Sequence, residues 1–257
     1  MIKKLIDQPL VTHVNVRDFG FKKMPESLKF LGQKEAAAID KELFEDYGFS
    51  VDQLMELAGL SCAQAIHHNY GPCPVLVLAG PGNNGGDGLV CARHLRLFGF
   101  QPTILYPKPS KSQLMQNLVK QTTLMEIPYI EKLPEDVSSV YHLVVDAFFG
   151  FSFKPPLREP FGEMMDSIVK ANATVFSIDI PSGWDVENGP PEDGTVKLLP
   201  KSMISLTAPK KCAKHFKGTH YLGGRFVPQA LADKYELNLP DYPGSQGFML
   251  LSHDKEH

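Results

Sequence analysis

From Pro74 onward the chain alternates short apolar runs with stretches whose apolar positions recur every three or four residues. The runs are VLVLAG (75–80), PTILY (102–106), HLVVDAFFG (142–150), VFSIDIP (175–181) and MISLTAP (203–209). Between them lie helical stretches: one over LVCARHLRLFG (89–99), one over about Ser112 to Glu126, and one over about Pro160 to Ala171. The runs are apolar throughout rather than alternating with polar residues, which predicts parallel strands covered on both faces and helical crossovers between them. The expected fold class is α/β: a three-layer αβα, Rossmann-like fold with a mostly parallel central sheet.

Two helices are expected ahead of this sheet, one over Gln33 to Tyr47 and one beginning at Ser50. Ser50 is a good N-cap and Gln53 follows three positions later, which is the capping-box arrangement. Leu54, Leu57, Ala58, Cys62 and Ala65 then recur on one face. Gly59, Ser61 and Ala63 leave little bulk on the flanks, permitting close approach to another backbone, either in the same chain or in a second subunit. YLGGRFVP (221–228) and the helical PQALADKYEL (228–237) close the domain. The expected organisation is an N-terminal arm over 1–30, one domain over 31–245 and a C-terminal tail over 246–257, without an internal repeat.

With 257 residues and 43% hydrophobic content, the chain suits one large α/β domain better than two small ones. A formal net charge of -3 with no basic block argues against a nucleic-acid partner. No apolar run approaches the roughly 18 residues needed to span a bilayer. Residues 1–30 lack the apolar core of a secretory signal, and Asp7, Asp18 and Glu26 among the lysines make a poor mitochondrial presequence. Cys62, Cys73, Cys91 and Cys212 form no C-x-x-C pair and the histidines form no H-E-x-x-H, so no zinc site is expected.

In sheets of this kind, ligands bind beyond the carboxyl ends of the strands, near the point where strand order reverses. The first strand runs into GPGNNGGDG (80–88), with Asn83, Asn84 and Asp87; LVVDAFFG delivers Asp146; SIDIPSG delivers Asp179 and Ser182. Taken alone, each has a structural explanation: Asp87 as a helix cap, Asp179 as a brace for the turn before Pro181, Asn83 as a residue tolerant of positive φ. Three strand ends carrying such groups together mark a site. GPGNNG fits G-x-G-x-x-G, yet the acidic residue a dehydrogenase places about 20 positions on is missing. Tyr106, Lys108 and Lys111 follow the second strand instead, suiting a phosphate or a solvated loop. No G-x-S-x-G surrounds Ser182, and no G-x-x-x-x-G-K-[ST] is present. These features leave a nucleotide-like ligand without the usual redox or kinase machinery.

LMELAG (54–59), GPGNNGGDG (80–88), VVDAFFGFSF (144–153), SIDIPSGWD (177–185) and SLTAPK (205–210), in this order and spacing, resemble the YjeF N-terminal domain family. The resemblance runs from about Phe30 to near Pro243. It implies an epimerase that interconverts the R and S forms of hydrated NADH and NADPH (NADHX and NADPHX) in nicotinamide nucleotide repair, a separate dehydratase then restoring the cofactor. It implies substrate binding at Asn83, Asn84, Gly85, Gly86 and Asp87, at Gly150, Phe151, Ser152, Phe153, Lys154, Pro155 and Pro156, and at Asp179. It also implies one potassium ion per subunit, held at Asn84, Asp146 and Ser182, whose amide, carboxylate and hydroxyl oxygens suit a hard cation. The family further implies a homodimer and an association with apolipoprotein A-I, in a mitochondrial, cytoplasmic or extracellular setting.

Epimerisation at a carbon that bears a hydroxyl and adjoins a ring nitrogen can run through loss of water to an iminium or through ring opening. Both routes need proton transfer. Asp179, at a strand tip, is the expected acid/base and Asp146 the carboxylate tied to the ion, although on sequence alone the two roles are exchangeable. Pro155 and Pro156 stand where relatives often have a smaller residue, and proline offers no N–H to an anionic ligand. That departure leaves an alternative: a catalytically weak binding protein acting through apolipoprotein A-I in cholesterol efflux. A conventional dehydrogenase is disfavoured by the missing acidic residue.

Overall fold

The computed structural model describes residues 27–192 and 198–253, so most of the expected arm over 1–30 and the last four residues lie outside the described residues. The first elements are α1 (Gln33–Glu45) and α2 (Val51–Asn69). Ser50 caps α2 as its sequence predicts: Ser50 Oγ accepts the Gln53 N–H at 3.2 Å, and Gln53 Oε1 accepts the Ser50 N–H at 2.9 Å. Leu54, Ala58, Cys62 and Ala65 are buried, but Leu57 is 40% exposed. It lies about 100° of helical rotation from Ala58, off the inward line.

The small flank of α2 is used within the chain. A Cβ on Gly59 would meet Val90 Cβ at 2.5 Å and the Asp87 carbonyl oxygen at 2.8 Å. Ser61 Oγ donates to the Ala58 carbonyl at 2.7 Å and accepts the Gly224 N–H at 3.1 Å. The close approach that the sequence left open between chain and partner is made here with α3 (Asn83–Leu97) and with the end of β7 (Thr219–Gly223).

The remaining strands are β1 (Pro74–Ala79), β2 (Gln101–Leu105), β3 (Tyr129–Ile130), β4 (Leu143–Ala147), β5 (Val175–Ile178), β6 (Ser202–Leu206) and β8 (Phe248–Ser252). They form one sheet in the order β3-β2-β1-β4-β5-β6-β7-β8, parallel throughout except for β7 with β8. Successive strand residues face opposite layers. Val75 and Val77 join a core with α2, α3 and α4 (Gln113–Leu124), while Leu76 and Leu78 join one with α5 (Val137–Val140) and α6 (Phe161–Lys170). Both faces are covered, which is why the runs read as unbroken apolar segments. The last helix, α7 (Gln229–Lys234), packs with α1 through Leu231 and Ile39.

Among the described strands and α-helices, three have no counterpart in the sequence reading. β3 and α5 are two and four residues long, below the length at which periodicity is visible. β8 falls inside the expected tail from 246: FMLLS pairs antiparallel with β7, placing Gly223 opposite Phe248 and Leu222 opposite Met249. It covers an edge that would otherwise stay unpaired, and it buries Phe248, Met249 and Leu251.

His220 in β7 is buried, with Nε2 2.9 Å from Ser205 Oγ, and burial depresses its pKa from 6.5 to about 3. Because the folded value lies below the unfolded one, the stability supplied by the neutral ring is complete above pH 6.5 and is lost as pH falls toward 3. Unfolding free energy therefore declines by up to about 1.4 kcal/mol per pH unit on this account, and His220→Gln flattens that decline between about pH 6.5 and 5. Denaturant titrations across that window check it; equal slopes in the two proteins would contradict it.

Candidate active site at the carboxyl ends of the strands

β1 leaves the sheet through Gly80, and the chain turns at Gly82 straight into α3. A Cβ on Gly80 would lie 1.7 Å from the Phe148 carbonyl oxygen, and one on Gly85 would lie 1.8 Å from the Gly80 carbonyl oxygen. Only glycine lets these segments cross so closely. α3 consequently begins at Asn83, ahead of the LVCARHLRLFG stretch in which the sequence placed the helix, and NNGGDG forms its first turns. Glycine's poor helix propensity concealed this; the tertiary fit overrides it. Asp87 is thus inside the helix rather than a cap before it. Asn83 does not have the positive φ foreseen for it; around the cavity Asp179 at 70° and Thr207 at 67° do.

The order of the sheet reverses at β1, which pairs with β2 on one side and β4 on the other, with Leu78 opposite Asp146. Over that reversal opens a cavity of about 370 Å³. Its walls include Asn83, Asn84 and Asp87 from α3, residues 150–153 after β4, Asp179 after β5, and Thr207 and Lys210 after β6. α1 and α2 add Asp40 and Met55. Of the expected residues, Gly85 and Gly86 stand behind the wall, where a Cβ on Gly86 would strike the Met55 methyl at 2.5 Å. Lys154, Pro155 and Pro156 are exposed and lie outside the walls, so the missing proline N–H groups take no donor from the cavity. Tyr106 braces its own loop, Oη accepting the Ser110 N–H at 2.9 Å, while Lys108 ties that loop to the segment before α6, Nζ donating to the Glu159 carbonyl at 2.6 Å.

The two strand-end carboxylates differ in their surroundings. Asp146 is buried beneath the cavity and accepts four hydrogen bonds: from Ser182 N–H (2.8 Å), Ser182 Oγ (2.5 Å), Ser177 Oγ (2.9 Å) and Phe148 N–H (3.4 Å). Burial pushes its pKa up, and these donors partly offset the rise. Asp179 is in the cavity wall, ion-paired with Lys210 at 2.5 Å and accepting the Phe151 N–H at 2.8 Å. Asp87 is driven well above the carboxylate range by burial, with Asp179 and Asp40 adding to the effect. Asp40 rises to about 6, again through burial. A Cβ on Gly150 would lie 3.0 Å from Asp179 Oδ2 and 3.1 Å from Asn84 Oδ1, so this glycine keeps the gap between the two open. Asn84 Nδ2 is buried without a hydrogen-bond partner among the described residues.

Sequence reasoning missed three contributors. Lys210 closes the SLTAPK motif at a strand end, the position that had identified the others, but a lone lysine reads as solvated. Asp40 comes from α1, remote in sequence. Gln33 clamps the loop after β4, its Nε2 donating to the carbonyls of Phe151 at 2.8 Å and Phe153 at 3.2 Å.

A mostly parallel sheet with a glycine turn, a helix N-terminus and acid groups meeting at its reversal point defines an α/β protein built to hold a nucleotide-like ligand. The family model described as YjeF-related protein N-terminus matches residues 51–212. Two relatives are each called NAD(P)H-hydrate epimerase. The Caenorhabditis briggsae protein is 56% identical over 220 residues, covering 85% of this chain and 93% of its own. The Caenorhabditis elegans protein is 54% identical over 227 residues, covering 88% and 96%. The crystal structure of yeast YNL200c shares the fold at a TM-score of 0.83 with 41% identity, over 87% of this chain and 100% of that one. The chain belongs to the YjeF-related N-terminal family.

Proposed function

We propose that the chain is an NAD(P)H-hydrate epimerase that interconverts the R and S forms of hydrated NADH and NADPH. The observation that carries this reading is the meeting of a helix N-terminus with an ionisable strand-end carboxylate, Asp179, in one crevice. The first is an anion site; the second can exchange a proton. The relatives' names, at more than half identity over most of both chains, support it. At about 370 Å³ the cavity is near the lower end of small-molecule sites, about 300–1,000 Å³, so it encloses the reacting ring while the rest of the dinucleotide lies along the rim. Phe149, Phe151 and Phe153 give it an apolar side.

Inverting the hydroxyl-bearing carbon, by the ring-opening route, needs one group that takes a proton from the hydroxyl and returns it, so no oxidant or reductant is consumed. Asp179 is suited to this because its carboxylate reaches the cavity. Asp146 is not, since four donors occupy its oxygens. The alternative, a binding protein acting through apolipoprotein A-I, needs no such buried acid groups. If the chain dimerises, the interface lies away from the Gly59–Ala63 flank. Following separated R and S substrates with time is the direct test.

The donors at Asn84, Asp146 and Ser182 fit a potassium ion: the oxygens are hard, and Asp146 is a buried carboxylate whose hydrogen-bond partners are all neutral. Its contribution would be charge more than a bare oxygen. When bound, the ion would neutralise that charge and order the turn after β1. Asn84→Ala, or a bulkier cation in place of potassium, should weaken nucleotide binding by about 10–100-fold, the worth of one hydrogen bond to a charged group. Titration calorimetry with hydrated NADPH reads this directly; unchanged affinity in both cases would exclude the ion from ordering the site.

A further inference from the structure

We infer that Lys210 is a positioning residue that selects which of the three cavity carboxyls, Asp40, Asp87 or Asp179, carries the negative charge. Its consequence for turnover rests on the epimerase reading; the charge selection itself does not.

The Lys210 side chain is 3% exposed and that of Asp179 5%. The ammonium donates to Asp179 Oδ1 at 2.5 Å and to the Leu206 carbonyl at 2.7 Å, and it lies 5.4 Å from the centroid of the Phe151 ring. One lysine therefore ties together the exits of β5 and β6 and the loop after β4. A buried cation is costly unless paired, and so is each buried carboxylate. Three carboxyls sharing one ammonium cannot all ionise cheaply. Asp179 alone receives both the ammonium and a backbone N–H, from Phe151 at 2.8 Å. Asp40 and Asp87 accept no hydrogen bond among the described residues; burial pushes both toward the neutral form, and the charge on Asp179 adds to this while Lys210 opposes it from its place beside Asp179. The other titratable groups that feel Asp179 are the thiols of Cys62 in α2 and Cys212 after β6, both held neutral by burial. The result is a cavity with one fixed carboxylate beside Asp87, whose carboxyl holds its proton, and Asp40, which titrates at about 6. Separating charge states among neighbouring acids in this way is how acid and base roles are divided.

Lys210→Met removes the selecting charge and leaves Asp179 buried beside two other acids. The acid limb of the kcat/KM profile should move up by about 1–3 pH units, the usual effect of losing an adjacent opposite charge, with activity recovering as pH rises. Lys210→Arg keeps the charge and should keep the limb near its wild-type position. A purely structural role would lower activity equally at every pH.

A second readout needs no substrate. Lys210→Met leaves the Asp179 carboxylate buried without its counter-charge, so the substitution costs least at low pH, where that carboxyl is protonated, and costs more as rising pH ionises it. The stability gap to wild type should widen from about pH 4 to 7 in thermal unfolding, and adding Asp179→Asn should narrow it at the upper end. If wild type fails to epimerise, the functional reading falls while the unfolding comparison still judges the charge selection. A gap constant with pH, a double variant no more stable than Lys210→Met, or an unmoved acid limb would overturn the inference.

Discussion

Asp179→Asn lowers turnover by about 10²- to 10⁴-fold, the usual worth of one positioned acid or base, with a smaller change in affinity. The amide keeps the shape of the carboxylate and can still accept the Phe151 N–H, now bonded at 2.8 Å, but it cannot exchange a proton. It also leaves the Lys210 ammonium buried without its counter-charge, so part of the loss comes as reduced stability. The comparison belongs well below the variant's unfolding transition, with turnover and ligand affinity measured on the same folded sample. Near-normal turnover would remove Asp179 from the chemistry.

Asp146→Asn should act differently, through the fold. Each carboxylate oxygen of Asp146 accepts one backbone N–H, from Phe148 or Ser182, and one serine hydroxyl. Whichever way the amide turns, its NH₂ faces a backbone donor that cannot rotate. Each buried donor left without an acceptor costs about 1–3 kcal/mol. For a chain of this size that corresponds to a fall of about 2–4 °C in Tm per kcal/mol. A serine hydroxyl can turn to accept, so Asp146→Asn should damage the rim without touching proton exchange. Lower stability together with weaker nucleotide binding, because the ion loses the charge that holds it, and an unchanged pH profile in the remaining turnover are the expected pattern. A stable Asp146→Asn that binds normally and does not turn over would mean that the roles of the two carboxylates are reversed.

The rim of the site is legible in the sequence because an α/β sheet places its ligand beyond the strand ends. Reading the polar residues there returned Asn84, Asp87 and Asp179 on the cavity wall and Asp146 beneath it. The start of α3 was not legible, since glycine-rich sequence argues against a helix, and the contacts that impose one involve Phe148 and Met55, far along the chain. Lys210 and Asp40 were hidden for a related reason. Nothing local distinguishes a lysine that is 3% exposed from one on the surface, and Asp40 acquires its environment only when α1 folds over the strand ends. Periodicity identified the inward face of α2 but not its edge, so Leu57 was misplaced. The apolar FMLLS run carried a strand signal, but its sheet partner, β7, is separated from it by α7 and an irregular stretch.

Adding folded protein to purified R-form hydrated NADH, and following the S form by chromatography that separates the two, decides whether the chain is an epimerase. Either pure form should approach one equilibrium mixture, at a rate proportional to protein concentration and reduced about 10²-fold or more in Asp179→Asn. A flat trace from protein that still unfolds cooperatively would contradict that reading.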